Sequence, residues 1–363
     1  MKQYACVCGN CLFFDNSACV KCKRDVGWCP ACKGIVALEP AAAGGFVCMN
    51  SKCGHALLKC ENYFTHNVCN RCVVAPDLKT ETAGTRTAPA DGPTPVSPLC
   101  DYCRFNRTVP DLGVTENKSK WGRIEHAKRR ALYDFDYLEL PYGSEADGVK
   151  PPLWFDFKAD AVSSSNKYRD VAGAGEQVFT GHDNGVVTIN LKEADPVARE
   201  HARVQFGEAH RTLVGHFRHE MGHYVWDVAI KGQREAESIE LFGDHNLPYN
   251  EALNAYYVNG PKPGWAAAYV SGYATMHPWE DWAETVANYL DMMATLETAE
   301  EGKLVPKLDR RNLDSLCTAY ANLGLTLNEL NRGIGLVDFL PEILVGPVRK
   351  KMGMVHSLTK WGK

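Results

Sequence analysis

Val214-Gly215-His216-Phe217-Arg218-His219-Glu220-Met221-Gly222-His223-Tyr224-Val225-Trp226-Asp227 is the stretch that decides how this chain is read. Leu213, Phe217, Met221, Val225 and Val228 recur at helical spacing, so the segment from about residue 208 to 231 is expected to be a helix with one buried stripe. On such a helix His219 and His223 stand one turn apart on the same face, where two imidazoles can hold one zinc ion. Glu220, beside the first imidazole, is then placed to take a proton from a water that the metal has made acidic. The plainer reading is a pair of satisfied histidines with no ion.

A hydrolytic zinc of this kind needs a third protein ligand and an open position. His277-Pro278-Trp279-Glu280-Asp281-Trp282-Ala283-Glu284-Thr285 offers one, because Pro278 and the acids Glu280 and Asp281 suit the first turn of a helix over 278–296. Glu280 and Glu284 share a face of that helix. The first can ligate zinc while the second hydrogen-bonds a ligand imidazole and fixes its tautomer, although spacing alone leaves open which of the two ligates. Asp227, four residues beyond His223, is a candidate to support that imidazole in the same way.

The cysteines divide the chain, since 14 of 15 precede residue 104 and only Cys317, read as a packed core thiol, comes later. Without a secretion signal, C-x-x-C pairs point to thiolate zinc sites rather than disulfides. The knuckles are Cys8/Cys11, Cys19/Cys22, Cys29/Cys32, Cys69/Cys72 and Cys100/Cys103, with Cys6, Cys48, Cys53 and Cys60 as looser members and His55 and His66 as substitutes. Fourteen thiols suffice for three four-cysteine sites with two left over, and either Cys6 or Cys11 can join Cys8. So dense a cysteine block builds little apolar core, and bound metal must supply its folding energy. Residues 74–98, rich in Pro, Thr, Ala and Gly, read as a linker or loop within this region.

The H-E-x-x-H followed by E-x-x-A-E, with Tyr273 seven positions before the first of those glutamates, resembles the zincin peptidases of the glutamate-ligand class, and the tyrosine spacing is similar to that of anthrax lethal factor. Thr180-Gly181-His182-Asp183-Asn184-Gly185, Gly215-His216-Phe217-Arg218-His219-Glu220 and His277 to Thr285 are closer still to bacterial zinc-binding metallopeptidases that carry an N-terminal zinc ribbon. The likeness covers nearly the whole chain. It implies Glu280 as third ligand, Tyr273 as donor to an oxyanion, and the strand at 186–191 as the sheet edge along which substrate lies extended. The run Cys8-Gly9-Asn10 with Phe13 to Asn16 is family-like too and favours Cys6 as the partner of Cys8.

The rest of the sequence sets bounds. At 363 residues, 45% apolar and 23% charged, the chain can bury one sizeable core and a small extra domain. The fold expected is α+β, a zincin-like metallopeptidase domain with a small sheet and mostly helices over 105–363, behind a cysteine-rich zinc-ribbon domain over 1–104. A formal charge of -4 gives no general attraction to nucleic acid or anionic membrane. No stretch of eighteen apolar residues occurs and the start lacks a signal-peptide core, so a cytoplasmic, membrane-free protein is expected.

A helix over 115–137 carries Lys118, Lys120, Arg123, Lys128, Arg129 and Arg130, read as a solvated face. Strands are expected at 154–157, 176–180 and 186–191, the last two joined across 181–185, where Asn184-Gly185 favours a tight hairpin. Further helices are expected over 195–205, around Tyr249 above the cleft, over 308–323 with Gly324 as its stop, and over 339–363. The functional expectation is peptide-bond hydrolysis with one catalytic and two to three structural zinc ions, acting on a peptide or protein. Two alternatives stand: a ribbon that captures a protein or nucleic acid beside an inactive H-E-x-x-H, and a hydrolase of other amides or esters.

Overall fold

The computed structural model describes residues 1–42, 44–75, 98–160, 178–206, 212–340 and 344–362. Most of the expected linker, 76–97, lies outside them, as do 208–211 at the expected start of the active helix. Two compact units emerge, one of residues 1–106 and 111–126, the other of 107–110 and 127–363.

The first unit is built on short antiparallel strands. A two-stranded ribbon pairs β1 (Tyr4–Ala5) with β2 (Cys11–Leu12). A five-stranded sheet runs in sequence order through β3 (Val26–Cys29), β4 (Gly34–Pro40), β5 (Phe46–Cys48), β6 (Ala56–Lys59) and β7 (Cys72–Val74), with the short α1 (Glu61–Phe64) before its last strand. Beside the cysteines this unit buries apolar side chains, Leu12, Phe14, Val26, Trp28, Ile35 and Leu38 among them, more than the cysteine-dense sequence led one to expect. Arg71 fills part of this core, its guanidinium between the rings of Trp28 and Tyr102 and paired with Asp101 at 2.7 and 2.5 Å.

The second unit is α+β. A four-stranded sheet has the order β10 (Gly181–Asp183), β11 (Val186–Asn190), β9 (Trp154–Lys158), β8 (Asn106–Thr108), with β11 parallel to β9. The expected hairpin is shorter than its sequence suggested. Asn184 and Gly185 take left-handed φ of 43° and 86°, so Gly181–Asp183 pairs directly with Val186–Thr188, and the residues read as a turn are themselves strand. Glu176 and Gln177 lie outside the described residues. The segment expected to be the edge strand, β11, is hydrogen-bonded to β10 and β9 on its two sides, and among the described residues the outer strand beside it is β10.

The helices are α2 (Thr115–Leu138), α3 (Pro196–Phe206), α4 (Leu213–Ala229), α5 (Glu235–Phe242), α6 (Tyr249–Asn259), α7 (Pro278–Glu301), α8 (Leu313–Gly333) and α9 (Gly346–Ser357). None is long and apolar enough to cross a membrane among the described residues. Gly324 does not stop α8, which runs on to Gly333, and instead admits Leu340, whose Cδ1 is 2.6 Å from where a Cβ would sit. The basic face of α2 is also broken: Lys128 and Arg129 are buried, Lys128 beside the rings of Phe155 and Phe157.

The core of this unit presses α4 against the sheet and against α7. Phe217 meets Phe155 and Phe157 edge-on at 5.8 and 6.4 Å, while Trp282 donates its ring N–H to the Gly222 carbonyl at 2.8 Å. At Gly222 the two helices nearly touch. A Cβ there would lie 3.0 Å from both Cα and the carbonyl oxygen of Ala283.

Candidate metal centres

Each helix that bears expected ligands is fixed at its start. Thr212 caps α4 by accepting from the Gly215 N–H at 2.9 Å, and His277 caps α7 by accepting from the Trp279 N–H at 3.1 Å while its other ring nitrogen meets the Leu247 carbonyl. Pro278 occupies the first turn, so Glu280 is set close to the cap.

These two starts bring His219, His223 and Glu280 together. The two Nε2 atoms are 3.2 Å apart, Glu280 Oε2 is 3.0 Å from His219 Nε2, and Glu280 Oε1 is 3.5 Å from His223 Nε2. A tetrahedral ion with bonds of about 2.0–2.1 Å would space its ligand atoms by roughly 3.3 Å. Buried Glu280 Oε2 makes no aligned hydrogen bond despite its closeness to the imidazole, as expected of lone pairs that converge on a point between them. Burial favours a neutral Glu280, but the imidazoles of His223 and His219 outweigh it and hold the carboxyl well below its usual range. For His219, burial is likewise overcome by Glu280 and Glu284, which raise it well above the usual histidine value. A buried anionic donor set of this kind fits a divalent cation.

Glu284 Oε1 accepts from His219 Nδ1 at 2.7 Å, and its Oε2 accepts from the Ser271 hydroxyl at 2.6 Å. With Nδ1 donating to Glu284, an ion at the cluster would displace the Nε2 proton and take its lone pair. Glu280 and Glu284 thus take the two places that the sequence left open. Glu220 is buried between the histidines in sequence, and burial pushes its carboxyl upward. Tyr273 places its ring 6.0 Å from that of His219, and Trp279 covers His223 at 3.9 Å. Asp227 does not support His223: its oxygens lie 3.8 Å from His182 and 3.7 Å from Lys231, and His223 Nδ1 has no partner among the described residues.

The cysteines form three further groups: Cys6, Cys8, Cys19 and Cys22; Cys29, Cys32, Cys48 and Cys53; and Cys60, Cys69, Cys100 and Cys103. Sulfur separations of 3.6 Å for Cys6–Cys22 and Cys8–Cys19, 3.8 and 3.5 Å for Cys29–Cys53 and Cys32–Cys48, and 3.8 Å for Cys69–Cys100 match the edge, about 3.8 Å, of a tetrahedron with Zn–S bonds of about 2.3 Å. They are far beyond a disulfide bond of about 2.05 Å. The third group is wholly buried and its sulfurs accept from the backbone N–H groups of Arg71, Cys100 and Cys103 at 3.3–3.4 Å.

Two of the proposed ligands are left out. Cys11 is exposed at the end of its ribbon, near Gln3, and Cys6 takes the place beside Cys8. Cys72 already belongs to β7, where it faces Gly27 rather than the cluster joined by Cys69. His55 touches Cys53 from outside the second group at 3.2 Å, and His66 lies tilted against Trp121. Sequence reasoning also missed Ser271 and Tyr249, whose hydroxyl donates to Glu280 Oε1 at 2.9 Å; no local spacing links either to its partner.

The profile of a family described as "Putative zinc-binding metallo-peptidase" matches residues 117–358, and that of a zinc-ribbon domain matches residues 3–114. Similar proteins include uncharacterized proteins of Mycobacterium bovis and Mycobacterium tuberculosis, each 34% identical over 369 residues that cover 99% of this chain and 95% of the relative. No solved structure matches. With the profile matching most of the chain and the same two-part organisation in its length, this protein belongs to the zinc-binding metallopeptidase family, joined to an N-terminal zinc ribbon.

Proposed function

We propose that the protein hydrolyses peptide bonds at a zinc ion held by His219, His223 and Glu280, and that the three cysteine groups hold structural zinc. The observation that carries this reading is a set of three donors at tetrahedral spacing, joined by no fourth His, Cys, Asp or Glu ligand among the described residues. Zinc in such a site supplies an acidified water and a polarised carbonyl. The chain supplies the rest. Glu284, held by Ser271, keeps the proton of His219 on Nδ1. Glu220, raised by burial, takes the proton of the attacking water and returns it to the leaving amine nitrogen. Tyr273 donates a hydrogen bond to the oxygen that gains charge as the carbonyl carbon becomes tetrahedral.

The test is a mass-spectrometric comparison of wild type and Glu220→Gln on a proteome-derived peptide library. Cleavage by the first and none by the second, at equal zinc content, is the expected outcome. Cleavage that survives the substitution removes Glu220 from the mechanism. Absence of cleavage by both, with hydrolysis of small esters or other amides, transfers the site to another substrate class.

A further inference from the structure

Tyr249 has no part in the chemistry above, yet its hydroxyl bonds a proposed ligand. It begins α6, a helix with no buried residue, and its ring lies edge-on to His277 and Trp279 at 5.3 and 6.0 Å. Its hydroxyl donates to Glu280 Oε1, the oxygen nearer His223. A phenol has one proton to give, so once it is given to Glu280 the Tyr249 oxygen can only accept.

The chemistry of this donor suits a metal ligand. A carboxylate offers about four lone-pair directions, and a neutral phenol on Oε1 fixes the plane of the group while leaving Oε2 toward His219. A lysine in the same place would cancel the negative charge a cation needs. No residue of α6 is buried, so the hydroxyl is not part of an apolar core.

We infer that Tyr249 is a positioning residue, which orients Glu280 for the metal through Oε1. This rests on the proposed metal site. Tyr249 governs how tightly the ion is held, whereas Tyr273, which donates to no proposed ligand among the described residues, leaves that affinity unchanged.

The test uses the full chain loaded with zinc, with the ions counted and the most easily removed one titrated by a competing fluorescent chelator. The expected result is about 10-fold weaker binding of that ion in Tyr249→Phe, at the lower end of the usual effect of losing a ligand's hydrogen-bond partner. Tyr273→Phe should change its affinity less than about 2-fold. The metal-free proteins are compared by circular dichroism and melting temperature, which should not move. Equal zinc affinity in Tyr249→Phe and wild type overturns the inference, and so does a Tyr249→Phe chain that no longer folds, since the hydroxyl is assigned no structural load. A His219→Ala chain that retains the same number of ions would instead sink the metal site itself.

Discussion

The cysteine groups and the His219–His223–Glu280 cluster share a tetrahedral donor spacing but differ in donor number and in surroundings. Each cysteine group offers four protein donors, and the third is buried and wrapped in its own backbone N–H groups. The histidine cluster offers three donors from two helices that are packed closely on each other through Gly222, Trp282 and Ala283. On the proposed reading the first kind of site would tie short strands together around a modest apolar core, while the second would sit on packed helices. If the proposed roles hold, completeness of the ligand set and independence of the surrounding fold run in opposite directions, as structural and catalytic zinc sites generally do.

The comparison breaks most visibly where metal is the core. Cys100→Ser should lose one zinc and unfold the first unit, because binding at structural sites contributes about 10–16 kcal/mol of folding free energy; zinc content and far-UV circular dichroism check this, and an ordered first unit without that ion refutes it. Next comes the chemistry. Glu220→Gln should lower the rate of peptide hydrolysis by about 10²–10⁴-fold, the usual worth of a general base, with the zinc count unchanged.

Smaller effects sharpen the distinction. Glu284→Gln should weaken zinc at the histidine site by about 10–100-fold and leave the cysteine sites untouched, as read by chelator competition. Gly222→Ala should destabilise the second unit by about 1–3 kcal/mol in denaturant melts, since the added methyl meets Ala283 backbone, and should also spread the imidazoles from Glu280. The smallest effect involves no metal. Arg107, bonded to the Asp156 carboxylate at 2.9 and 2.6 Å, holds that buried acid far below its usual range. A depressed acid stabilises the fold above its unfolded value near pH 4 and loses that contribution as pH falls toward the folded value. Arg107→Gln should therefore cost about 1–2 kcal/mol near neutral pH, allowing for its half-exposed side chain, and flatten the acid limb of a pH-stability curve.

What could be read from sequence was local. The stripe through Phe217 and Met221 and the cap before Pro278 concern residues within a few turns of one another, so helical period and end signals locate α4 and α7. The cysteine grouping is harder, because C-x-x-C spacing shows that two thiols can share an ion without showing that they do: Cys69 and Cys72 face different ways once the second enters a strand. Gly324 illustrates the same limit, since a glycine that ends a helix and one that admits Leu340 look alike in sequence. Asp227 had the right spacing to reach His223, but spacing does not reveal the competing partners His182 and Lys231. Tyr249 was illegible because its contact depends on where the loop after α5 carries the chain.

The close seating of α4 on α7 at Gly222 has a consequence for how such a protein would live with scarcity. Ligands carried by helices already locked together can be emptied and refilled without the surrounding chain losing its shape. Withdrawal of zinc would then silence the molecule at this cleft long before it marked it for destruction, and a returning supply would revive existing copies without new synthesis.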